Sequence, residues 1–372
     1  MVSEIVDDRR GLNRLCWLLV ALAWPLIWVG GLVTTYDAGM SVPDWPGTYG
    51  YNLFAYPYKT WLFGPFDLFI EHGHRLLASV VGLVAIGVAV TAYRNESRVW
   101  VRRWCYALLA MVIAQGILGG FRVLLDARTL AMVHGVFGPT FFAAGAVAVA
   151  MTSKGWRERG SLGAGEFGSG EVGDLETAAF RWGGLFWVAC GIAGLALFQL
   201  AYGARLRHAS PTMSASGFGH VAAIHVTGAF TLWGLMIVAA VMGRRSGDRS
   251  IGGTTFGLVK LGLVQIALGV TTWVVKYGYP QVLDWMPGSD GYLLRSKGFW
   301  GSMAITGHVA TGSLILALAA ALAARVWHRR RVMRRVESDG AGRDVAGSQR
   351  ADVWDNAGQH VSRDDLQPAV AH

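Results

Sequence analysis

Long apolar runs with almost no charge recur along this chain, and no other feature limits its fold as severely. A backbone inside a bilayer must satisfy its own polar groups, so runs of about 20 apolar residues can build membrane-spanning helices and little else. Hydropathy and flanking charge place such runs at roughly 15–35, 70–92, 104–122, 130–151, 182–203, 219–242, 255–276 and 300–325. Hydrophobic residues make up 53% of the 372 and charged residues only 15%, which leaves little material for a separate soluble domain. The first run is not read as a cleaved leader. It is long, carries Trp17, Trp24 and Trp28, and is followed by no small-residue cleavage site.

Lys and Arg divide unequally between the two sets of loops. Arg9, Arg10, Arg14, segments 94–103 and 154–181, Arg244, Arg245, Arg249 and the Arg-rich stretch 325–335 fall on one side. Lys59, Arg122, Arg128, Arg205, Arg207, Lys276, Arg295 and Lys297 fall on the other. The richer side is expected to be cytoplasmic, which puts both termini there and requires an even number of spans. The expected location is a bacterial-type inner membrane. The net charge of +9 then reports topology and anionic-lipid contact, and nucleic-acid binding is excluded. Cys16, Cys105 and Cys190 lie in spans or at their cytoplasmic ends, so neither an extracytoplasmic disulfide nor a CxxC motif is expected.

The expected architecture is all-α, an integral membrane protein of eight helices in two pseudo-symmetric four-helix bundles. A cytoplasmic N-terminus (1–14) leads into the first bundle (15–151), a Gly-rich linker (152–181), the second bundle (182–325) and a tail (326–372) that is basic and then disordered. Within the linker, residues 163–168 match a dinucleotide fingerprint, but no strand precedes them and no nucleotide site is read there. His360 and His372 lie in the tail and are given no role. The halves repeat: Gln115-Gly116-Ile117-Leu118-Gly119 recurs as Gln265-Ile266-Ala267-Leu268-Gly269, and His74 and His225 stand at nearly the same separation. Since both halves start in the cytoplasm, they are parallel repeats about an axis along the membrane normal.

Four histidines, His74, His134, His225 and His308, each fall shortly after the start of an even-numbered span, at one depth near the outer face. Ionisable side chains at membrane depth are costly and usually functional, and imidazole is the commonest ligand of metals and haem iron. In an up-down bundle the second and fourth helices face each other across the core. The pairs His74 with His134, and His225 with His308, are therefore read as two bis-histidine haem sites. Gly73, Gly135, Gly138, Gly228, Gly307 and Gly312 would reduce bulk beside the macrocycles. His72, His208 and His220 are read as interfacial or propionate-side groups.

Glu71 breaks the symmetry. It shares a helix face with His74 and is followed by Arg75, whereas the matching second-half positions are Ala222 and Val226. A carboxylate beside a bound substrate suits proton abstraction; an ion pair with Arg75 or a helix-start role is the plainer reading. Candidate propionate partners are Arg75, Arg122, Arg205, Arg207 and Lys276, with simple snorkelling as the alternative. The aromatic-rich first outer loop is either an interfacial belt or a lid, with Asp44 and Trp45 near its mouth.

Residues 20–325 resemble the haem A synthases. The resemblance rests on Glu71-His72-Gly73-His74-Arg75-Leu76-Leu77, on Gln115-Gly116-Ile117-Leu118-Gly119-Gly120, and on Asp44-Trp45-Pro46 beyond Gly30-Gly31-Leu32-Val33-Thr34. It implies an oxidoreductase that converts a ring methyl of its substrate, haem O, to the formyl group of haem A, for terminal-oxidase assembly. It implies a substrate half (His74, His134), a cofactor half holding haem b (His225, His308) and a catalytic Glu71. Partners implied are haem O, the farnesyltransferase that makes it, and membrane lipid. The chain departs from relatives that carry a cysteine pair in the first outer loop, since residues 36–69 contain none. Two rivals are a dihaem b-type electron-transfer cytochrome without turnover and a haem transporter or chaperone. The electron acceptor, the oxygen source and a homo-oligomeric state stay open.

Overall fold

The structure is a computed structural model that describes residues 2–160, 172–210, 212–295 and 297–359. Its long helices are α1 (Val2–Thr35), α3 (Phe66–Asn95), α4 (Val99–Leu124), α5 (Arg128–Thr152), α7 (Val172–Arg207), α8 (Ala215–Arg245), α9 (Arg249–Tyr277) and α10 (Phe299–Gln359). Two short helices, α2 (Tyr58–Leu62) and α6 (Lys154–Gly160), lie in connections. Among the described residues there is no strand. Eight helical segments are long and apolar enough to cross a membrane, from Arg10–Thr35 to Phe299–Arg335, and they coincide with the eight expected runs. Pro25 and Pro139 lie inside α1 and α5, as membrane helices permit when neighbours cover the freed carbonyl. Polar N-caps mark two starts: Ser214 Oγ accepts from Gly217 N–H, and Asp248 accepts from Ser250 and Ile251 N–H.

Two connections differ from the sequence expectation. Part of the 152–181 linker is helical, as α6 and the start of α7, and α10 runs on to Gln359 through a segment read as an unfolded tail. A helix already formed propagates without a new nucleation cost, which composition alone does not reveal. Residues 163–168, His360 and His372 lie outside the described residues.

In the first half, α1 packs on α3, α3 on α4, α4 on α5 and α5 back on α1. In the second half the order is α7, α8, α9, α10 and back to α7. The helices bearing each histidine pair, α3 with α5 and α8 with α10, thus stand across from one another. α10 also packs on α1 and α5, and α5 on α7, joining the halves. That seam is tight: a Cβ on Gly31 would lie 2.7 Å from Thr306 Cγ2, and Trp24 Nε1 donates to Ala310 O at 3.2 Å.

Packing is uneven along the helices. The buried core is built from Leu12–Ala23 of α1, Val81–Ala92 of α3, Val101–Leu108 of α4 and Phe141–Val149 of α5. It continues through Trp182–Ala196, Leu232–Ala239, Ile251–Leu258 and Ile315–Val326 of the second half. All these stretches lie on the side of the bundle away from the four histidines. One end is a close-packed plug; the other is hollow.

Candidate functional site

The hollow end is a continuous cavity of about 1610 Å³ lined by residues of both halves, larger than the roughly 300–1,000 Å³ typical of single-ligand pockets. His74, His134, His225 and His308 all line it, each half-buried. Every one of the four rings rests on a glycine of the preceding long helix. A Cβ on Gly30 would lie 2.9 Å from Cε1 of His74, and one on Gly119 would lie 3.0 Å from that of His134. The corresponding approaches are 3.3 Å for Gly203 to His225 and 3.1 Å for Gly269 to His308. A side chain at Gly30 would force the His74 ring to shift, and one at the other three would press on the ring by a few tenths of an ångström.

The inner side of three of the four seats is polar. His308 Nδ1 lies 3.2 Å from Gln265 O, one turn before Gly269. Nδ1 of His74, His134 and His225 is buried without a hydrogen bond. Gln115, Gln199 and Gln265 line the cavity four residues before three of the seat glycines. Gln115 Nε2 donates to His134 O at 3.0 Å, while both amide atoms of Gln199 are buried without a partner. The centroids of His225 and His308 are 6.2 Å apart with ring planes at 73°. Two metal–nitrogen bonds of about 2 Å on one axis give about the same centroid separation, so this pair could hold one metal atom between them. Among the described residues no three His, Cys, Asp or Glu side chains gather as a bare metal ion would require.

Above the first pair, Glu71 is 1% exposed and still borders the cavity. Its Oε1 accepts from Arg75 Nε at 3.1 Å, and Arg122 Nη2 stands 3.5 Å from Oε2. Arg75 also donates to the carbonyls of Val42, Asp44 and Gly47, at 2.8, 2.6 and 2.9 Å. The guanidinium named as a candidate propionate partner is therefore largely taken up in fastening the first loop. His72, on the far face of the turn, has Nδ1 3.0 Å from Thr48 Oγ1 and packs against Tyr56 and Trp61. The loop is thus tied to α3 on both sides of His74.

Trp45 lines the cavity, and a Cβ on Gly120 would lie 2.4 Å from its ring, so the indole lies flat on α4. Asp44 faces away from the cavity and accepts from Tyr49 and Gly50 N–H at 2.8 and 2.9 Å. Burial raises its pKa, but those N–H groups and the Arg75 charge prevail and hold it below the usual carboxylate range.

Of the other cations, Arg122, Arg207 and Lys276 line the cavity, whereas exposed Arg205 does not. Arg207 Nη2 donates to Gly31 O and Thr35 Oγ1 at 2.7 and 2.6 Å, bridging the halves. His208 also borders the cavity. Burial first, then the charges of Arg207, Arg122, Lys276 and Arg128, hold it down to about 4 and so neutral at pH 7. His220 pairs with Ser216 away from it. Of the expected bulk-reducing glycines, Gly135 borders open space, Gly138, Gly228 and Gly312 face the glutamine amides, Gly307 packs on Trp28, and Gly73 is off the cavity. Sequence reasoning missed the seat glycines and Gln199, although the Gln-x-x-x-Gly spacing at 115, 199 and 265 would have shown three of them.

No curated protein matches the chain. Residues 13–281 match the family model of the cytochrome oxidase assembly proteins, COX15-CtaA, and the chain belongs to that family, whose role lies in haem A synthesis.

Proposed function

From that membership we propose that the chain oxidises a ring methyl of haem O to the formyl group of haem A. The substrate is held in the first half between His74 and His134, and a haem b in the second between His225 and His308. One observation carries the reading: four imidazoles, each seated on a glycine, face one cavity large enough for two macrocycles. The residues fit the group. Buried Nδ1 atoms turned to the helix leave Nε2 as the nitrogen for iron, and the ring separation at His225 and His308 suits one iron between them. When bound, haem b supplies a one-electron relay.

The chain's own residues do the rest. Glu71 stands beside the substrate site, braced by Arg75 and Arg122, where it can accept a proton or stabilise positive charge developing at the methyl carbon. The 36–57 loop, locked by Arg75 and His72, forms a lid that keeps water from the reacting edge. Arg122, Arg207 and Lys276 line the cavity, and to these cations we assign the propionates. Two successive hydroxylations of the methyl, each a two-electron oxidation for which a co-reactant from outside the chain supplies the oxygen atom and the oxidising equivalents, followed by loss of water, give the formyl group. The second half has the imidazoles but Ala222 at the place of Glu71, and no described carboxylate of that half lines the cavity, so in this reading it carries electrons and not the reaction. In this reading both termini are cytoplasmic and the sites lie near the outer face.

The test is co-expression with a source of haem O and mass analysis of extracted haem. Haem A or its hydroxylated precursor is expected. Unchanged haem O beside two bound haems would replace the enzyme by an electron-transfer cytochrome.

A further inference from the structure

We infer that His74 is the exchangeable axial ligand of the substrate site and His134 the retained one, an inference that rests on the bis-histidine reading above. The four seats are alike except in what stands one turn below the glycine. At three of them it is a glutamine: Gln115, Gln199 and Gln265. At the His74 seat, below Gly30, it is Leu26.

The difference reaches the turns that carry the rings. Gln115 Nε2 donates to His134 O at 3.0 Å and pins that turn to α4, whereas the alkyl side chain of Leu26 has no donor to offer His74 O. Partners that hold a metal-bound imidazole in place are worth about 10–100-fold in metal affinity.

The helices differ in the same sense. α5, which bears His134, is gripped by α1, α4, α7 and α10, whereas α3, which bears His74, packs closely, among the described long helices, on α1 and α4. The turn around His74 is fastened to the lid instead, through Arg75 and His72. Opening the lid to admit substrate therefore loosens the one ligand that has least support in the bundle. Lid opening and ligand exchange become a single event, with the macrocycle kept in place by His134 while His74 lets go.

The test uses the full chain loaded with haem O, with the second-half haem as internal control for folding. In His74→Ala the substrate site should keep its haem, turn five-coordinate and bind carbon monoxide when reduced. In His134→Ala it should bind haem O at least about tenfold more weakly than His74→Ala does. Equal losses, or greater loss in His74→Ala, overturn the inference and leave the haem sites standing. Unchanged haem content in both variants would instead remove the reading beneath it. Leu26→Gln, which offers the His74 carbonyl the kind of amide donor that Gln115 gives His134, provides a second check with all four histidines present: exogenous cyanide should enter the ferric substrate site about tenfold more slowly. An unchanged entry rate overturns the inference.

Discussion

The two halves share one frame and differ in what was added to it. Both arrange four long helices in the same cyclic order and seat two imidazoles on glycines at the hollow end. In the first half a buried Glu71 stands between two arginines beneath a loop locked by Arg75 and His72. At the matching place the second half has Ala222, with Val226 after its histidine, and a short connection between α7 and α8. It has instead amides on both odd-numbered helices and a hydrogen-bonded His308. In the function proposed above the frame binds haem, and the additions decide whether the bound group reacts or is merely held steady.

The sharpest way to break this contrast is Glu71→Gln. Removal of a positioned acid–base group costs about 10²–10⁴-fold in rate, so product should vanish while both haems stay bound. Product at the wild-type level would put the two halves on the same footing. Next comes Arg75→Ala, which frees the carbonyls of Val42, Asp44 and Gly47 together. Amide exchange should accelerate about tenfold or more across 36–57, since each lost charged hydrogen bond costs about 1.5–3 kcal/mol, and should stay unchanged in the 278–298 connection.

Gly30→Ala and Gly203→Ala sharpen the comparison of the seats. The approach is tighter at Gly30, 2.9 Å against 3.3 Å, so haem loss at the first half should exceed that at the second. Haem content per chain reads both. Asp248→Ala removes the cap of α9 and should lower thermal stability by about 1 kcal/mol. The smallest effect concerns pH. The folded pKa of Asp44 is depressed, so its contribution to the loop is present above the unfolded pKa and lost as pH falls through the folded one. Proteolysis of the 36–57 loop should therefore quicken in acid, and Asp44→Asn should be fast at every pH.

Much of this plan was legible in the sequence because membrane helices obey few rules. Apolar length gave the eight spans, and the repeated histidines gave the hollow end. The seats were not legible, because which residue of α1 meets His74 depends on helix rotation and depth, which hydropathy does not encode. The role of Arg75 was hidden for a related reason. Its partners are loop carbonyls, and any sequence supplies carbonyls. Arg207 looked like a cation of the second half alone, yet besides lining the cavity it closes on the end of α1 in the other half. α10 passed the expected border of folded structure because helices extend once begun.

The most direct test of the account is the low-temperature spin-resonance spectrum of the purified, haem-loaded chain. The account predicts low-spin ferric haem with two imidazole ligands, converted to a high-spin signal or lost when His225 or His308 is replaced by alanine. A chain that takes up no haem, or a spectrum indifferent to all four histidines, would contradict it.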